Sequence, residues 1–344
     1  MAALNKLLDL LTTRDRPLIE RAKQAILGSK NPHINHFDAV GFNVKFFGYE
    51  LARALAGALP VRTFPSPPTV GLKSKASTQA DIESDWVAYW CGEMKSPVIF
   101  HRKVWELAYV LQAVHEAGFM EEGRRGLGFG CGTEPLPSLM ASKGLKITVT
   151  DLQPDKSVGL GWATTGQHTS TLDHCFQPHL VSREDFTRNV GLEYVDMNNI
   201  PATLRDYDFC WSVCAYEHLG SIQAGIDFVV NSMDVLKPGG RAVHTTEFNF
   251  SDDVSTLETP QTVLFQKRHF IEIARRLREL GHEVAELDFD IGDKPLDKFI
   301  DFPPFGGDMP RFVKENWGEM YPHMKITLGG YCTTCFGIVA TKRK

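Results

Sequence analysis

The 344-residue sequence has no long hydrophobic run, no surplus of positive charge and no regular pattern of cysteines. A membrane-spanning helix needs about 20 consecutive apolar residues, and no stretch approaches that length. Lys6 and Asp9 interrupt the leucines near the start, which predicts an amphipathic helix there rather than a signal peptide. We therefore expect no membrane span.

The net charge of the chain and its number of cysteines indicate which partners and which cellular compartment to expect. Acidic residues outnumber basic ones, 42 to 37, whereas proteins that bind nucleic acid usually carry a basic surplus. We therefore expect no nucleic-acid partner. Seven widely spread cysteines, an odd number, do not suggest a disulfide framework, which favours a reducing, cytoplasmic location.

The composition changes along the chain in a way that suggests two regions. Residues 62–84 are rich in Pro, Ser, Thr and Lys and predict a mobile connection. Residues 1–99, which include this connection, are predicted to form an N-terminal helical cap that contacts substrate. Residues 100–344 are predicted to form the main domain, with insertions near 157–190 and 290–325.

Within the main domain, short apolar runs alternate with amphipathic helical stripes. The runs lie at residues 126–129, 146–151, 192–196, 208–213 and 241–248, and two more strands are expected near the end of the chain. Strands that alternate with helices imply right-handed crossovers and a sheet covered on both faces. We predict an α/β fold with a doubly wound, mostly parallel, seven-stranded sheet.

The most informative segment is the glycine-rich stretch Arg125–Pro135, which reads RGLGFGCGTEP. Glycines let backbone amides approach a ligand closely, and such a loop lies where ligands bind in open parallel sheets. The dinucleotide spacing G-x-G-x-x-G is not met, because its third glycine would fall on Thr133 or on Pro135. The loop alone leaves the class of nucleotide open.

Two acidic residues follow at the ends of the next strands. Asp151 closes the second strand, where a carboxylate can accept both hydroxyls of a ribose. Asp196 ends the third strand and precedes Met197, a pair suited to the edge and face of an adenine. A Leu-Lys-Pro-Gly-Gly turn then ends a helix just before the fifth strand.

Together these segments resemble the class I S-adenosylmethionine-dependent methyltransferase family over about residues 100–289. The matching segments are GFGCGTEP, TVTDL, EYVDMNNIP, DFCWSVCAYEHLGS and LKPGGRAVHTTEF. The group that the segments resemble most is the small-molecule methyltransferases. Similar bacterial proteins are found near enzymes of surface-sugar assembly. The resemblance implies a Rossmann-like fold, S-adenosyl-L-methionine as cofactor, and a cofactor site formed by Gly128, Phe129, Gly130, Cys131, Gly132, Glu134, Asp151, Leu152, Asp196, Met197, Ser212 and Val213.

Two positions depart from the family pattern. The usual acid at the head of the first motif falls on Gly128, and the last glycine of the motif falls on Glu134. We interpret Glu134 as a partner for the amino group of the cofactor. His101 or Arg102, at the start of the preceding helix, is the candidate for its carboxylate, the alternative being a solvated helix start.

Methylation of a hydroxyl needs a base, and the resemblance places the candidates after the fourth and fifth strands. They are Tyr216, Glu217, His218, His244, Glu247 and Asn249. His218 is the leading base because histidine titrates near neutral pH, and a structural histidine is the alternative. Glu217 and Glu247 are the further catalytic or substrate-binding candidates.

No metal is expected, although two segments contain ligand-type residues. The 157–190 insertion contains His168, Asp173, His174, Cys175 and His179, whose spacing matches no tight zinc pattern. Cys332 and Cys335 form a lone CxxC, and a strand places them on opposite faces. Trp162, Gln167 and His168 are predicted either to line the pocket or to pack within a surface loop.

The residues after the fourth strand, Ser212–Ala215, lack the Asn/Asp-Pro-Pro-aromatic tetrapeptide typical of nucleic-acid amine methyltransferases. We therefore predict an O-methyltransferase that acts on a hydroxyl of a small molecule or glycan. The alternatives are a protein or RNA methyltransferase, or a cofactor-binding scaffold without catalysis. The sequence does not predict an oligomeric state.

Overall fold

The computed structural model describes residues 36–153, 171–305, 309, 311, 315 and 322–344. The chain divides into two compact units, Met1–Leu51 and Ala52–Lys344. This division does not coincide with the boundary predicted near residue 99. The first predicted helix, together with Trp162, Gln167 and His168 of the first insertion, lies outside the described residues.

Nine α-helices and eleven strands are described. The helices are α1 His36–Ala58, α2 Gln79–Ile82, α3 Asp85–Glu93, α4 Arg102–Glu116, α5 Leu136–Ser142, α6 Arg183–Asn189, α7 Ile222–Asn231, α8 Lys267–Glu279 and α9 Pro295–Lys298. The strands are β1 Ser74–Ala76, β2 Arg125–Phe129, β3 Lys146–Asp151, β4 Val190–Tyr194, β5 Tyr207–Val213, β6 Leu236–Asn249, β7 Glu283–Val284, β8 Leu287–Asp288, β9 Ile300–Asp301, β10 Lys325–Leu328 and β11 Tyr331–Thr341.

The strands form one mixed sheet in the order β4-β3-β2-β5-β6-β11-β1-β8. Strands β4, β3, β2, β5 and β6 are parallel, and β11 pairs antiparallel with β6 from Thr333–Asn249 to Thr341–Arg241. The predicted α/β class is therefore confirmed. From β2 the chain runs outward to β3 and β4, then returns to β5, so the direction of winding changes between β2 and β5. Ligands bind at such a switch point in open α/β sheets.

The sheet has eleven strands rather than the predicted seven. Strand β1 lies in the segment predicted as a mobile connection, where it pairs antiparallel with β11 and parallel with β8. Strands β7 to β10 contain two to four residues each. Strands β7 and β8 lie where one of the two strands near the end of the chain is predicted. Alternation over so few residues gives only a weak pattern, and pairing with the neighbouring strands stabilises all four.

Helices cover both faces of the sheet, as its apolar strands require. One core includes side chains of α3, α4 and α5, among them Trp90, Trp105 and Leu139, and the other includes side chains of α7 and α8, among them Phe228 and Phe270. Among the described residues, no helix is both long and apolar enough to cross a membrane.

Helix α4 packs closely against β11 at a glycine. A Cβ at Gly337 would lie 2.2 Å from the ring of Tyr109, so only glycine leaves room for this ring. The Tyr109 hydroxyl donates to the carbonyl of Lys73 at 2.6 Å and lies 3.1 Å from that of Gly337. This contact fixes α4 across the sheet, with its N-terminus near the carboxyl ends of β2 and β5.

Candidate active site

The glycine-rich loop follows β2 and leads into α5. Gly130 and Gly132 have φ of +60° and +53°, which favour glycine over residues with a side chain. A Cβ at Gly130 would also lie 2.9 Å from the Cβ of Ala215, which follows β5. The amide of Cys131 donates to the carbonyl of Thr150 on β3 at 3.1 Å. The loop is thus held close to the ends of both neighbouring strands.

A cavity of about 490 Å³ opens beside this loop, at the carboxyl ends of the parallel strands. This is within the usual range for small-molecule sites. Its lining residues are Lys103, Leu107, Gly130, Cys131, Gly132, Thr133, Glu134, Pro135, Asp151, Leu152, Val195, Asp196, Met197, Asn198, Val213, Cys214, Ala215, His218 and Leu219.

Nine of the twelve residues predicted to bind cofactor line this cavity, whereas Gly128, Phe129 and Ser212 do not. Phe129 is fully buried and packs edge-on against Phe228, with ring centroids 5.2 Å apart. The hydroxyl of Ser212 lies 2.8 Å from Nδ1 of His244, a buried histidine whose Nε2 lies 3.0 Å from the hydroxyl of Ser232. His244 thus belongs to a buried hydrogen-bonded group outside the cavity.

Trp211 occupies the space that a side chain at position 128 would need. Gly128 and Trp211 are register partners on β2 and β5, and a Cβ at 128 would lie 2.5 Å from the indole. The indole Nε1 donates to Oε2 of Glu134 at 3.2 Å. Trp211 therefore fills the space beside Gly128 and orients the carboxyl group of Glu134 at the cavity wall.

Replacing Gly128 with Ala is expected to destabilise the fold. The new methyl group would lie 2.3 Å from Sγ of Cys131 as well as against Trp211. Overpacking of this kind costs about 1–3 kcal/mol of unfolding free energy, which denaturant titration would measure. Gly92→Ala is the matched control, because its Cβ would meet nothing within 4 Å on helix α3. Equal stability of the two variants would contradict the packing argument.

Asp151 is the last residue of β3, Asp196 lies two residues beyond β4, and both line the cavity. Oδ2 of Asp151 accepts from the amide of Gly132 at 3.3 Å, and its Oδ1 accepts from the amide of Leu152 at 2.8 Å. Oδ1 of Asp196 accepts from the amide of Asn198 at 2.9 Å. Both carboxylates are thereby held in fixed orientations at the cavity wall.

Glu134 has an unusual protonation equilibrium. Burial raises the pKa of its carboxyl to about 8, while the nearby Lys103 ammonium and the Trp211 indole N–H act in the opposite direction. Lys103 lines the cavity and also pairs with Glu106, Nζ to Oε1, at 3.5 Å. A carboxyl group and an ammonium group therefore share one part of the wall.

Of the three predicted catalytic residues, only His218 lines the cavity. Its Nδ1 lies 2.8 Å from the carbonyl oxygen of Gln261. Since a carbonyl only accepts, this contact favours the neutral tautomer with the proton on Nδ1, in which Nε2 is the acceptor nitrogen. Glu217 is buried, and its Oε2 accepts from the hydroxyl of Thr246 at 3.0 Å.

Glu247 is buried and forms an ion pair with the partly buried Arg102. Oε2 of Glu247 also accepts from the hydroxyl of Thr333 at 2.9 Å. His101 caps α4, its Nδ1 accepting from the amide of Lys103, and it stacks on His323 with centroids 4.9 Å apart. Neither Arg102 nor His101 lines the cavity, although both were candidates for a cofactor carboxylate.

Lys103 was missed at the sequence level, although a signal for it was present. Lys103 and Leu107 are four residues apart on α4, so they share one face of the helix, and both line the cavity. Leu107, like Val104, also packs against the buried core. The polar position one helical turn before Leu107, at the end of the helix nearest the glycine loop, was therefore the informative one.

No family model and no curated protein matches the chain. Among solved structures, it resembles a protein of Bacillus halodurans C-125 described as a methyltransferase, with 13% identity, TM-score 0.39, and 68% of this chain and 99% of that chain covered. It also resembles a protein of Galdieria sulphuraria described as a sarcosine dimethylglycine methyltransferase, with 14% identity, TM-score 0.42, and coverage of 78% and 91%. A third is Haemonchus contortus phosphoethanolamine N-methyltransferase 2 in complex with S-adenosyl-L-methionine, with 15% identity, TM-score 0.40, and coverage of 68% and 52%.

Proposed function

We propose that this chain binds S-adenosyl-L-methionine in the cavity and transfers its methyl group to a hydroxyl oxygen of a small molecule or glycan. The observation that supports this most is the convergence of separate chain segments on one cavity. The glycine loop, Asp151, the Asp196–Met197 pair and His218 come from different strand ends, and all of them line it.

The residues of the cavity fit the parts of this cofactor. Asp151 is suited to accept the two hydroxyls of the ribose, and Asp196 with Met197 to contact the edge and face of the adenine. At the other end, the Glu134 carboxylate and the Lys103 ammonium are complementary to the amino and carboxylate groups of the methionine part. Gly130 has no Cβ, so the backbone leaves room between Met197 and Ala215.

The cofactor supplies an electrophilic methyl group on a sulfonium. The chain then has to hold the acceptor oxygen in line with that methyl group and accept the proton of the hydroxyl. Alignment of this kind can contribute up to about 7–11 kcal/mol in favourable cases. Nε2 of His218 is the acceptor nitrogen that the cavity offers for the proton, since Nδ1 faces the Gln261 carbonyl.

The size of the cavity and the net charge of the chain support a small-molecule or glycan acceptor over a polyanion. The cavity of about 490 Å³ must hold the cofactor and the reacting end of the acceptor. The chain has a net charge of −5, which disfavours the approach of nucleic acid. A hydroxyl acceptor also gives His218 a proton to remove.

Calorimetric titration with S-adenosylhomocysteine tests the cofactor part of the proposal. We expect saturable binding and a rise in Tm with ligand concentration. Absence of both heat and thermal shift at high ligand concentration would refute the proposal. A screen of sugar, metabolite, peptide and RNA acceptors with a labelled methyl donor tests the acceptor part. Transfer only to peptide or RNA, or binding without any transfer, would refute it and favour one of the alternatives.

Cofactor affinity is expected to depend on the protonation of Glu134. Below pH 8 this carboxyl is mostly protonated and neutral, because burial raises its pKa to about 8. The ammonium of the ligand favours the ionised form, so binding of S-adenosylhomocysteine should tighten as the pH rises from 6.5 to 8.5. Glu134→Gln should bind more weakly and lose this slope, while exposed Glu193→Gln should keep it. An unchanged slope in Glu134→Gln would contradict the assignment.

A further inference from the structure

Behind the cavity wall, a carboxylate and two thiols meet where α4, β5 and β11 come together. We call this group, Glu106, Cys214 and Cys335, the thiol–carboxylate cluster. The two sulfur atoms are 3.7 Å apart, and Sγ of Cys214 lies 2.9 Å from Oε2 of Glu106. One donor atom from each of the three residues lies within 4.8 Å of the other two. Glu106 and Cys335 are fully buried, and Cys214 lines the cavity.

The Glu106 carboxylate is not fully satisfied by its protein neighbours. Its Oε2 accepts from Cys214 and from the hydroxyl of Thr245, the latter at 2.6 Å. Its Oε1 is buried and has no hydrogen-bond partner, the Lys103 ammonium being 3.5 Å away. The contact of this oxygen with Lys103 is therefore an ion pair without a hydrogen bond, which leaves the oxygen able to accept a further ligand.

The surroundings of the cluster carry an excess of negative charge. Glu217 and Glu247 are also buried, and each offers an oxygen within 4.8 Å of Cys214 Sγ and of the other. The ion pairs described in this region are Arg102–Glu247 and Lys103–Glu106. In this part of the described structure, two side-chain cations therefore face three buried carboxylates. A divalent ion that displaces the two thiol protons leaves this balance of charge unchanged, so the case for the site depends on the donor atoms and their spacing.

We infer that the thiol–carboxylate cluster is a binding site for a thiophilic divalent cation, of which zinc is the type. Two thiolates bound at about 2.3 Å to a tetrahedral zinc ion lie about 3.8 Å apart, close to the observed separation of the sulfurs. Glu106 supplies a third ligand through a carboxylate oxygen. Binding displaces the two thiol protons to solvent, so no redox partner is involved.

The position of Cys214 gives the site access to small molecules. An ion bound to this sulfur lies at the cavity wall, so that its fourth coordination position is within reach of a ligand in the cavity. Catalytic zinc sites keep such a position open, whereas structural sites close it with a fourth side chain. This inference does not depend on methyl transfer, because it concerns metal binding by the chain alone.

Titration of the chelator-treated full chain with Co²⁺, under a phosphine reductant, tests the site. We expect one equivalent to bind, with a thiolate-to-cobalt charge-transfer band and with visible bands of tetrahedral intensity, and we expect Zn²⁺ to displace it. Cys214→Ser and Cys335→Ser should each weaken the charge-transfer band, because one thiolate ligand remains, and the double variant should lose it. Each single variant should weaken binding by more than the roughly 10-fold that loss of an outer partner costs.

The matched control is Cys332→Ser, three residues from Cys335 and outside the cluster, which should keep the band and the affinity. Glu106→Gln provides a second test if Cys335→Ser does not fold as judged by circular dichroism, and it should also weaken binding and alter the visible bands. No cobalt binding by the unmodified chain, or a charge-transfer band that keeps its full intensity in both single cysteine variants, would overturn the inference. Thermal shift with S-adenosylhomocysteine, followed separately, distinguishes this failure from failure of the proposed function.

Discussion

His218→Ala is expected to lower kcat by roughly 10²- to 10⁴-fold, the usual contribution of a positioned general base. The imidazole lines the cavity, and its contact with the Gln261 carbonyl favours Nε2 as the proton-accepting nitrogen. The cofactor residues proposed above lie elsewhere on the wall. The affinity for S-adenosylhomocysteine should therefore stay within a few-fold of the original. Steady-state kinetics with the acceptor found in the screen, together with calorimetry, measure the two effects.

The control for this experiment is His179→Ala, which removes an exposed imidazole that does not line the cavity. This variant should retain full activity. Full activity in His218→Ala would show that another group accepts the proton.

Asp151→Asn is expected to weaken binding of S-adenosylhomocysteine by roughly 10- to 100-fold, since hydrogen bonds to a charged group contribute about 1.5–3 kcal/mol. The Asp151 carboxylate lies at the end of β3, where the Gly132 and Leu152 amides orient its two oxygens. An amide has only one oxygen to accept hydroxyl protons, and its NH₂ group would face these backbone amides. Calorimetry at fixed pH measures the change.

A ligand that lacks the ribose 2′-hydroxyl sharpens this test. If Asp151 binds that hydroxyl, Asp151→Asn and the deoxy ligand should each weaken binding, and the combined loss should be smaller than the sum of the two. Asp253→Asn, an exposed residue on a surface turn, should change neither affinity. Strict additivity of the two changes would show that the carboxylate acts elsewhere.

The fold was predictable where the chain repeats a regular pattern. The alternation of apolar runs and helical stripes from residue 100 onward predicted β2 to β6 together with α4, α7 and α8, because buried parallel strands and amphipathic helices have distinct periods. Not all of the short strands could be found in this way. The three residues of β1 are stabilised by β11, more than 250 residues away in the chain, and no local property of Ser74–Ala76 encodes that pairing.

The grouping of the candidate site residues at one cavity was predictable to the same extent, while their roles stay a prediction. The glycine loop and the acids at strand ends were found because parallel strands deliver their carboxyl ends to one edge. Two features were not found, because they depend on contacts across the sheet. Trp211 fills the space beside Gly128 and donates a hydrogen bond to the carboxyl group of Glu134. Cys214 contacts Cys335 because only one strand, β6, lies between β5 and β11. Neither contact can be recognised from the sequence, because the residues that form it are far apart in the chain.

The central position of β11 has a consequence for how the chain reaches this structure. The strand that lies between β6 and β1 is also the last described strand to leave the ribosome. Until residues 331–341 are available, β6 presents an unpaired edge that includes the buried segment His244–Phe248. Such edges invite pairing between chains, and long-range strand insertion is slow. Nascent chains of this protein should therefore depend on chaperones more than the local regularity of their helices suggests.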